Sequence, residues 1–218
     1  MITISAYRWV PDFAQGLVKD VRVRWALEEA GLSYETRLIG PEDQGGAAYR
    51  ALQPFGQVPT LEEDGLKLFE SGAIVLHIAG RSEALMPADA AGRARTTVWV
   101  LAALNSIEPA VDQLGDTYRD AAQDWAMERR APCEAQVRKR LGELQAWLGD
   151  KDYLEGRFTA GDLMMTTVLR NLRQTRLLDE YPALGAYKAR CEARPAFQRA
   201  LAAHMASFKA HEAALATA

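Results

Sequence analysis

Cysteine is nearly absent from this chain: Cys133 and Cys191 are the only two in 218 residues, and no C-x-x-C pair occurs. A disulfide scaffold, a zinc site and dithiol redox chemistry are thereby set aside. Histidine is scarce too. His77 lies in an apolar segment, His204 on an apolar stripe and His211 in the tail, so no metal site is expected. No run approaches the roughly 20 apolar residues that a membrane span needs, and Met1-Ile2-Thr3-Ile4 lacks the basic start of a secretory signal. The net charge is only −3, which supplies no drive toward nucleic acid or an anionic membrane. What remains is a soluble, cytoplasmic protein, long enough for one large or two small domains.

The first eighty residues alternate in hydrophobic period. Ile2–Tyr7 has the β-rich character of a strand. Val23, Ala26, Leu27 and Ala30 fall at i, i+3, i+4, i+7, one helix face, which Gly31 closes. Tyr34–Ile39 alternates as a second strand, and a loop with a short helix spans Pro41 to Leu52. Val58–Leu61 and Lys67–Phe69 flank Glu63-Asp64-Gly65, a strong hairpin signal. An apolar helix over Ser71–Ala79 completes a β-α-β-α-β-β-α unit. Beyond it strands cease, and 81–89, with Met86-Pro87, reads as a linker. From about residue 90 to 218 the periods are helical: Leu104, Ile107, Val111, Leu114; Val137, Leu141, Leu144, Leu148; Leu184, Tyr187, Cys191; Phe197, Leu201, His204, Phe208. An Ala-rich tail ends the chain. Thr159 and Asp162 have the spacing of an N-cap and N3 pair, a structural role. Cys191 is expected on a buried face, and Cys133, after Pro132, near an exposed helix start.

Chemistry concentrates in Pro54-Phe55-Gly56-Gln57-Val58-Pro59-Thr60-Leu61 and in the later pair Glu70-Ser71. An X-Pro bond has only a weak preference for trans, about 0.5–1 kcal/mol, and proline has no N–H to give a sheet. A cis turn at Val58-Pro59 would aim the Val58 backbone groups outward, where they could pair antiparallel with a peptide-like ligand. An acid followed by a hydroxyl at a helix start suits an ammonium and a carboxylate on one small molecule.

The unit with Gln57-Val58-Pro59 and Glu70-Ser71, followed by an all-helical region, resembles the cytosolic glutathione S-transferase family. Val23-Arg24-Trp25-Ala26-Leu27-Glu28-Glu29-Ala30-Gly31, Phe158-Thr159-Ala160-Gly161-Asp162-Leu163, Tyr181-Pro182-Ala183-Leu184 and Arg194-Pro195-Ala196-Phe197 carry the likeness through nearly the whole chain. The resemblance implies an α/β thioredoxin-like domain over 1–80, an all-α domain over 90–218, glutathione as co-substrate and a homodimer. It implies that Val58 pairs with the cysteinyl backbone of glutathione and that Glu70 and Ser71 hold the γ-glutamyl end. Gln57 then faces the glycyl carboxylate, with Arg50 as an added cation.

The residue that activates the thiol departs from the family pattern. A thiol of pKa about 8.5 is mostly protonated at neutral pH, so the site must favour the anion. In Ser- and Cys-type relatives the stabilising residue stands about fourteen positions before the helix-ending Gly; here that position is Leu17. No Ser lies between Ser5 and Ser33 and neither cysteine is near. Tyr7, at the end of the first strand, stands where Tyr-type relatives carry theirs, although the following loop, Arg8 to Gly16, is about six residues longer. Gln15, Arg22, Arg24 and loop N–H groups are the electrostatic alternatives. Trp9 and Phe13 from the loop, with Trp99 and Tyr118 from the helical region, are candidate walls for a flat hydrophobic electrophile between the domains. The expected function is conjugation of the glutathione thiolate to such an electrophile. The alternatives are a glutathione-dependent isomerase, dehalogenase or peroxidase, or a non-catalytic binding module.

Overall fold

The computed structural model describes the backbone of residues 1–216 and side chains through residue 213; the end of the Ala-rich tail lies outside them. The chain divides into two compact units, 1–85 with 194–218, and 86–193.

The first unit opens with β1 (Ile2–Tyr7), α1 (Asp20–Ala30) and β2 (Tyr34–Ile39). β2 runs parallel to β1, with Ile2 opposite Tyr34 and Tyr7 opposite Ile39. The segment expected as one short helix is two single turns, α2 (Pro41–Gln44) and α3 (Ala47–Arg50), separated by Gly45 and Gly46. β3 (Leu61–Glu63) and β4 (Leu66–Leu68) complete a sheet of order β2-β1-β3-β4. Asp64 and Gly65 join them with φ of 49° and 86°, the two positive values that a two-residue hairpin turn requires. The third strand starts at Leu61 rather than Val58. Pro59 cannot donate to the ladder, so regular pairing begins only after Thr60, whose N–H goes to Ser5 Oγ at 2.7 Å. α4 (Ser71–Ala79) has the bounds read from the sequence.

Helix α1 is buried on nearly every side, from Asp20 to Leu27. The reason is α10 (Pro195–Ala216), which packs along α1 inside this unit. Trp25 meets Phe197 edge-on at 4.7 Å, and burying each such ring contributes about 2–3 kcal/mol. Arg194 pairs with Glu29 at 2.6 Å and Arg199 with Glu28 at 2.7 Å. The expected domain over 90–218 is therefore shorter in contact terms, because its last helix groups with the first unit. The stripe of Phe197, Leu201, His204 and Phe208 is real, but it faces α1.

The second unit contains α5 (Ala90–Ala102), a π-helical turn (Ala103–Ile107), α6 (Glu108–Arg119), α7 (Asp124–Leu148), α8 (Ala160–Arg170), two 3₁₀ turns and α9 (Pro182–Glu192). Thr159 and Asp162 form the expected reciprocal cap of α8. Asp162 accepts from the N–H groups of Leu154 and Thr159, both at 2.9 Å, and from the Tyr187 hydroxyl at 3.1 Å. Gly161 lets α8 approach α5: an added Cβ would lie 2.4 Å from the Trp99 Cβ. Cys133 is not at an exposed helix start. α7 runs through Pro132, and Cys133 is buried within it. No described helix is long and apolar enough to cross a membrane.

Candidate active site

The Val58-Pro59 peptide bond is cis. Among the described residues neither backbone group of Val58 has a hydrogen-bond partner, while its side chain packs with Ile39, Tyr49, Tyr7, Val18 and Leu52. The segment before it is fixed from below. Tyr49 donates to the Gln57 carbonyl at 2.7 Å, its hydroxyl lies 2.8 Å from Ser5 Oγ, and Ser5 Oγ also meets Thr60 Oγ1 at 2.9 Å. A buried column, Tyr49–Ser5–Thr60, thus brackets Gln57 to Pro59.

A cavity of about 340 Å³ brings together Tyr7, Phe13, Ala14, Leu17, Val18, Lys19, Gln57 and Val58. The Tyr7 hydroxyl accepts from Gln44 Nε2 at 2.8 Å, and its own proton has no acceptor among the described residues. Burial raises the Tyr7 pKa above the ordinary phenol value; the Gln44 bond opposes this, and the nearby Asp20 carboxylate adds to it. Tyr7 is therefore a neutral donor at physiological pH. Gln44 also donates to the Gly56 carbonyl at 3.0 Å. Sequence reading missed Gln44, and a lone Gln in a Gly-bounded turn gives no periodic signal that would have revealed it.

Tyr7 also borders a second cavity of about 460 Å³, lined by Arg8, Trp9, Val10, Pro11, Ile39, Gly40, Pro41, Gln44 and His211. Its loop wall is held at three points. Arg8 pairs with Glu42 at 2.7 Å, Trp9 Nε1 donates to Glu212 at 3.1 Å, and Gln15 Nε2 donates to Val10 O at 3.3 Å and Asp12 Oδ1 at 3.2 Å.

Glu70 and Ser71 stand at the start of α4. Glu70 holds φ of 68°, a left-handed backbone that a non-glycine residue adopts only under local constraint. Its side chain is exposed and has no partner among the described residues. Ser71 is buried, and Arg22 Nη1 donates to its Oγ at 3.2 Å.

Of the side-chain alternatives Gln15, Arg22 and Arg24, none lines the cavity with Tyr7. Arg22 braces Ser71. Arg24 is held by Asp20 at 2.8 Å and lies 5.9 Å from the Tyr34 ring centre, because its turn of α1 faces α10. Gln15 is engaged by its own loop. Arg50 donates to the Pro54 carbonyl at 2.7 Å and lies against Gly56, so it braces the loop rather than facing a ligand. The aromatics divide. Trp9 and Phe13 each line one of the two cavities, as above. Trp99 donates to Glu155 at 2.7 Å and stacks on Trp147 at 5.3 Å. Tyr118 donates to Glu134 at 3.3 Å beneath Arg130. Both are committed within the helical unit by helix packing.

The fold, a four-stranded mixed sheet with helices followed by a helical unit, is that of a known class, and comparison with known proteins names it. The family model "Glutathione S-transferase, N-terminal domain" matches residues 16–80, and "Glutathione S-transferase, C-terminal domain" matches 114–204. A glutathione S-transferase from Hyoscyamus muticus is 30% identical over 201 residues, 83% of this chain and 92% of that protein. A glutathione transferase from Burkholderia graminis, solved with two glutathione molecules bound per subunit, superposes with a TM-score of 0.80 at 29% identity. That match covers 92% of this chain and 87% of that one. The theta class glutathione S-transferase from Xanthomonas axonopodis pv. citri, solved with glutathione bound, gives a TM-score of 0.75 at 31% identity, covering 92% and 96%. This chain belongs to the glutathione S-transferase family. The N-terminal family match begins at residue 16, so Tyr7 and the loop from Arg8 to Gln15 lie before it.

Proposed function

We propose that this protein binds glutathione along the Val58 backbone edge and transfers its thiolate to a hydrophobic electrophile. The observation that carries the reading is the place of Tyr7, which lines both the cavity with Val58 and the cavity with Trp9. Gln44 occupies a lone pair of that oxygen, which leaves the phenol proton for a sulfur anion. Glu70 pairs with the γ-glutamyl ammonium, Ser71 and the α4 N-terminus hold its carboxylate, and Gln57 faces the glycyl end. The thiol proton leaves to solvent, the sulfur forms a bond to the electrophilic carbon, and a displaced group departs with the electron pair.

The cavity with Trp9 suits a compact aromatic electrophile lying against Trp9, Pro11 and Ile39, with Arg8, Gln44 and His211 among its polar groups. Phe55 and Phe69, stacked edge-on at 6.2 Å, and Leu66 are exposed apolar groups of the first unit. They support a homodimer through that face. A cytoplasmic setting, where glutathione is abundant and reduced, accords with two buried free cysteines.

Retention on immobilised glutathione, followed by turnover of a chlorodinitrobenzene, tests the reading. Wild type is expected to be retained and to conjugate; a wild type that passes through unretained overturns it.

A further inference from the structure

The mechanism above leaves unused a buried polar chain that ends in the loop beside Tyr7. The Gly16 N–H donates to His204 Nε2 at 3.1 Å. The other ring nitrogen, Nδ1, lies 3.0 Å from Asp20 Oδ2, and the same oxygen accepts from Arg24 Nε at 2.8 Å. His204 is 2% exposed and Asp20 0%. Because Nε2 is an acceptor, the ring is neutral and its single proton sits on Nδ1, facing the carboxylate.

Gly16 is where the loop turns into α1, with φ of 77°, a conformation that strains any L side chain. Immediately after it come Leu17, Val18 and Lys19, all lining the cavity that holds Tyr7 and Val58. Val18 also packs on the cluster of Ile39, Tyr49 and Val58. A ring on α10 thus accepts from the backbone at the head of one wall of the site, 188 residues away in sequence.

We propose that His204 is a positioning residue that latches the Gly16–Lys19 wall of the glutathione site, and that its protonation opens the latch. The proposal rests on the functional reading above for what the wall serves, but not for the latch itself. An imidazolium carries two N–H donors, so a second proton at Nε2 would face the Gly16 N–H, donor against donor. The bond is lost and the wall is pushed away. Among the described residues the charged groups facing the ring are Asp20, which favours the added proton, and Arg24 behind it, which opposes it. Both come from α1, with Lys19 at the head of that helix. On α10 itself the ring's neighbour is Phe208, edge-on at 4.6 Å, which offers no charge. A proton gained at Nε2 loosens the wall and lowers activity; its loss restores both.

Two measurements test this. The first needs no glutathione: hydrogen-exchange protection of the Gly16 amide, corrected for intrinsic rates, in unliganded protein at pH 7.5 and 5.5. Wild type is expected to lose at least tenfold protection at the lower pH, and His204→Gln, which offers an untitratable acceptor to Gly16, less than twofold. Equal protection at both pH values in wild type overturns the latch, whether or not His204→Ala folds. The second is the pH profile of kcat/KM for glutathione. Wild type is expected to show an acid limb steeper than thiol ionisation alone, and His204→Gln the thiol limb only, with at least half of the activity lost in His204→Ala regained at pH 7.5. Identical limbs in wild type and His204→Gln contradict the proposal. If the exchange result holds while wild type neither binds nor conjugates glutathione, the functional reading fails and the latch stands.

Discussion

The Gln44 side-chain amide bridges the Tyr7 hydroxyl and the Gly56 carbonyl, at 2.8 Å and 3.0 Å. One residue of a four-residue helix thereby sets the direction of the phenol proton and ties it to the loop that leads into Gln57 and Val58.

Gln44→Ala should therefore lower kcat more than it raises KM for glutathione. The expected loss is about three- to tenfold, the worth of one side-chain hydrogen bond of about 1 kcal/mol. Steady-state kinetics with circular dichroism as a control for folding checks it. A pure KM effect would place Gln44 on the ligand instead of on Tyr7.

Tyr7→Phe removes the donor itself. Turnover should fall at least tenfold, about 1.4 kcal/mol of transition-state stabilisation. Because burial holds the Tyr7 pKa above its ordinary value, the phenol stays neutral through the working range. The rise of rate with pH in wild type then reports the bound thiol, and Tyr7 ionisation enters only as a decline above about pH 10. Losing the donor destabilises the thiolate, so the Tyr7→Phe profile should shift to higher pH.

Glu70→Ala should weaken glutathione binding about tenfold or more, since a charge-assisted bond contributes about 1.5–3 kcal/mol. Arg22→Met should weaken it less, because Arg22 is placed to act through Ser71, to whose Oγ it donates. Calorimetric titration of both variants gives the order, and equal affinities for Glu70→Ala and wild type would remove Glu70 from the site.

Asp162→Ala should cost about 3 kcal/mol of stability. It leaves the Leu154 and Thr159 N–H groups and the Tyr187 hydroxyl without their acceptor in a buried place. The midpoint of urea unfolding should fall accordingly. Unchanged affinity for glutathione in the folded fraction would confine the effect to stability.

Much of this was legible in the residues. Period 2 and period 3.6 placed β1, β2, α1 and α4, and the Asp64-Gly65 turn announced its hairpin. The proline at 59 announced the cis turn before β3, and the acid–hydroxyl pair at 70 and 71 the start of α4, through backbone rules that hold locally. What stayed hidden depends on long-range packing. The pairing of α10 with α1 turned His204 from an apolar-stripe residue into an acceptor for Gly16. Arg24, on the same face, became a partner of Asp20 instead of a thiolate stabiliser. Trp99 and Tyr118 have the size of substrate walls but found partners inside the helical unit. Gln44 carries no pattern at all.

The most direct single measurement is the thiolate absorbance of the glutathione complex as a function of pH, wild type beside Tyr7→Phe. With the Tyr7 proton on the sulfur, the wild-type midpoint lies well below the free thiol value of about 8.5, and that of Tyr7→Phe returns toward it. A wild-type midpoint at the free value, or one that the substitution leaves in place, would contradict the assignment of Tyr7.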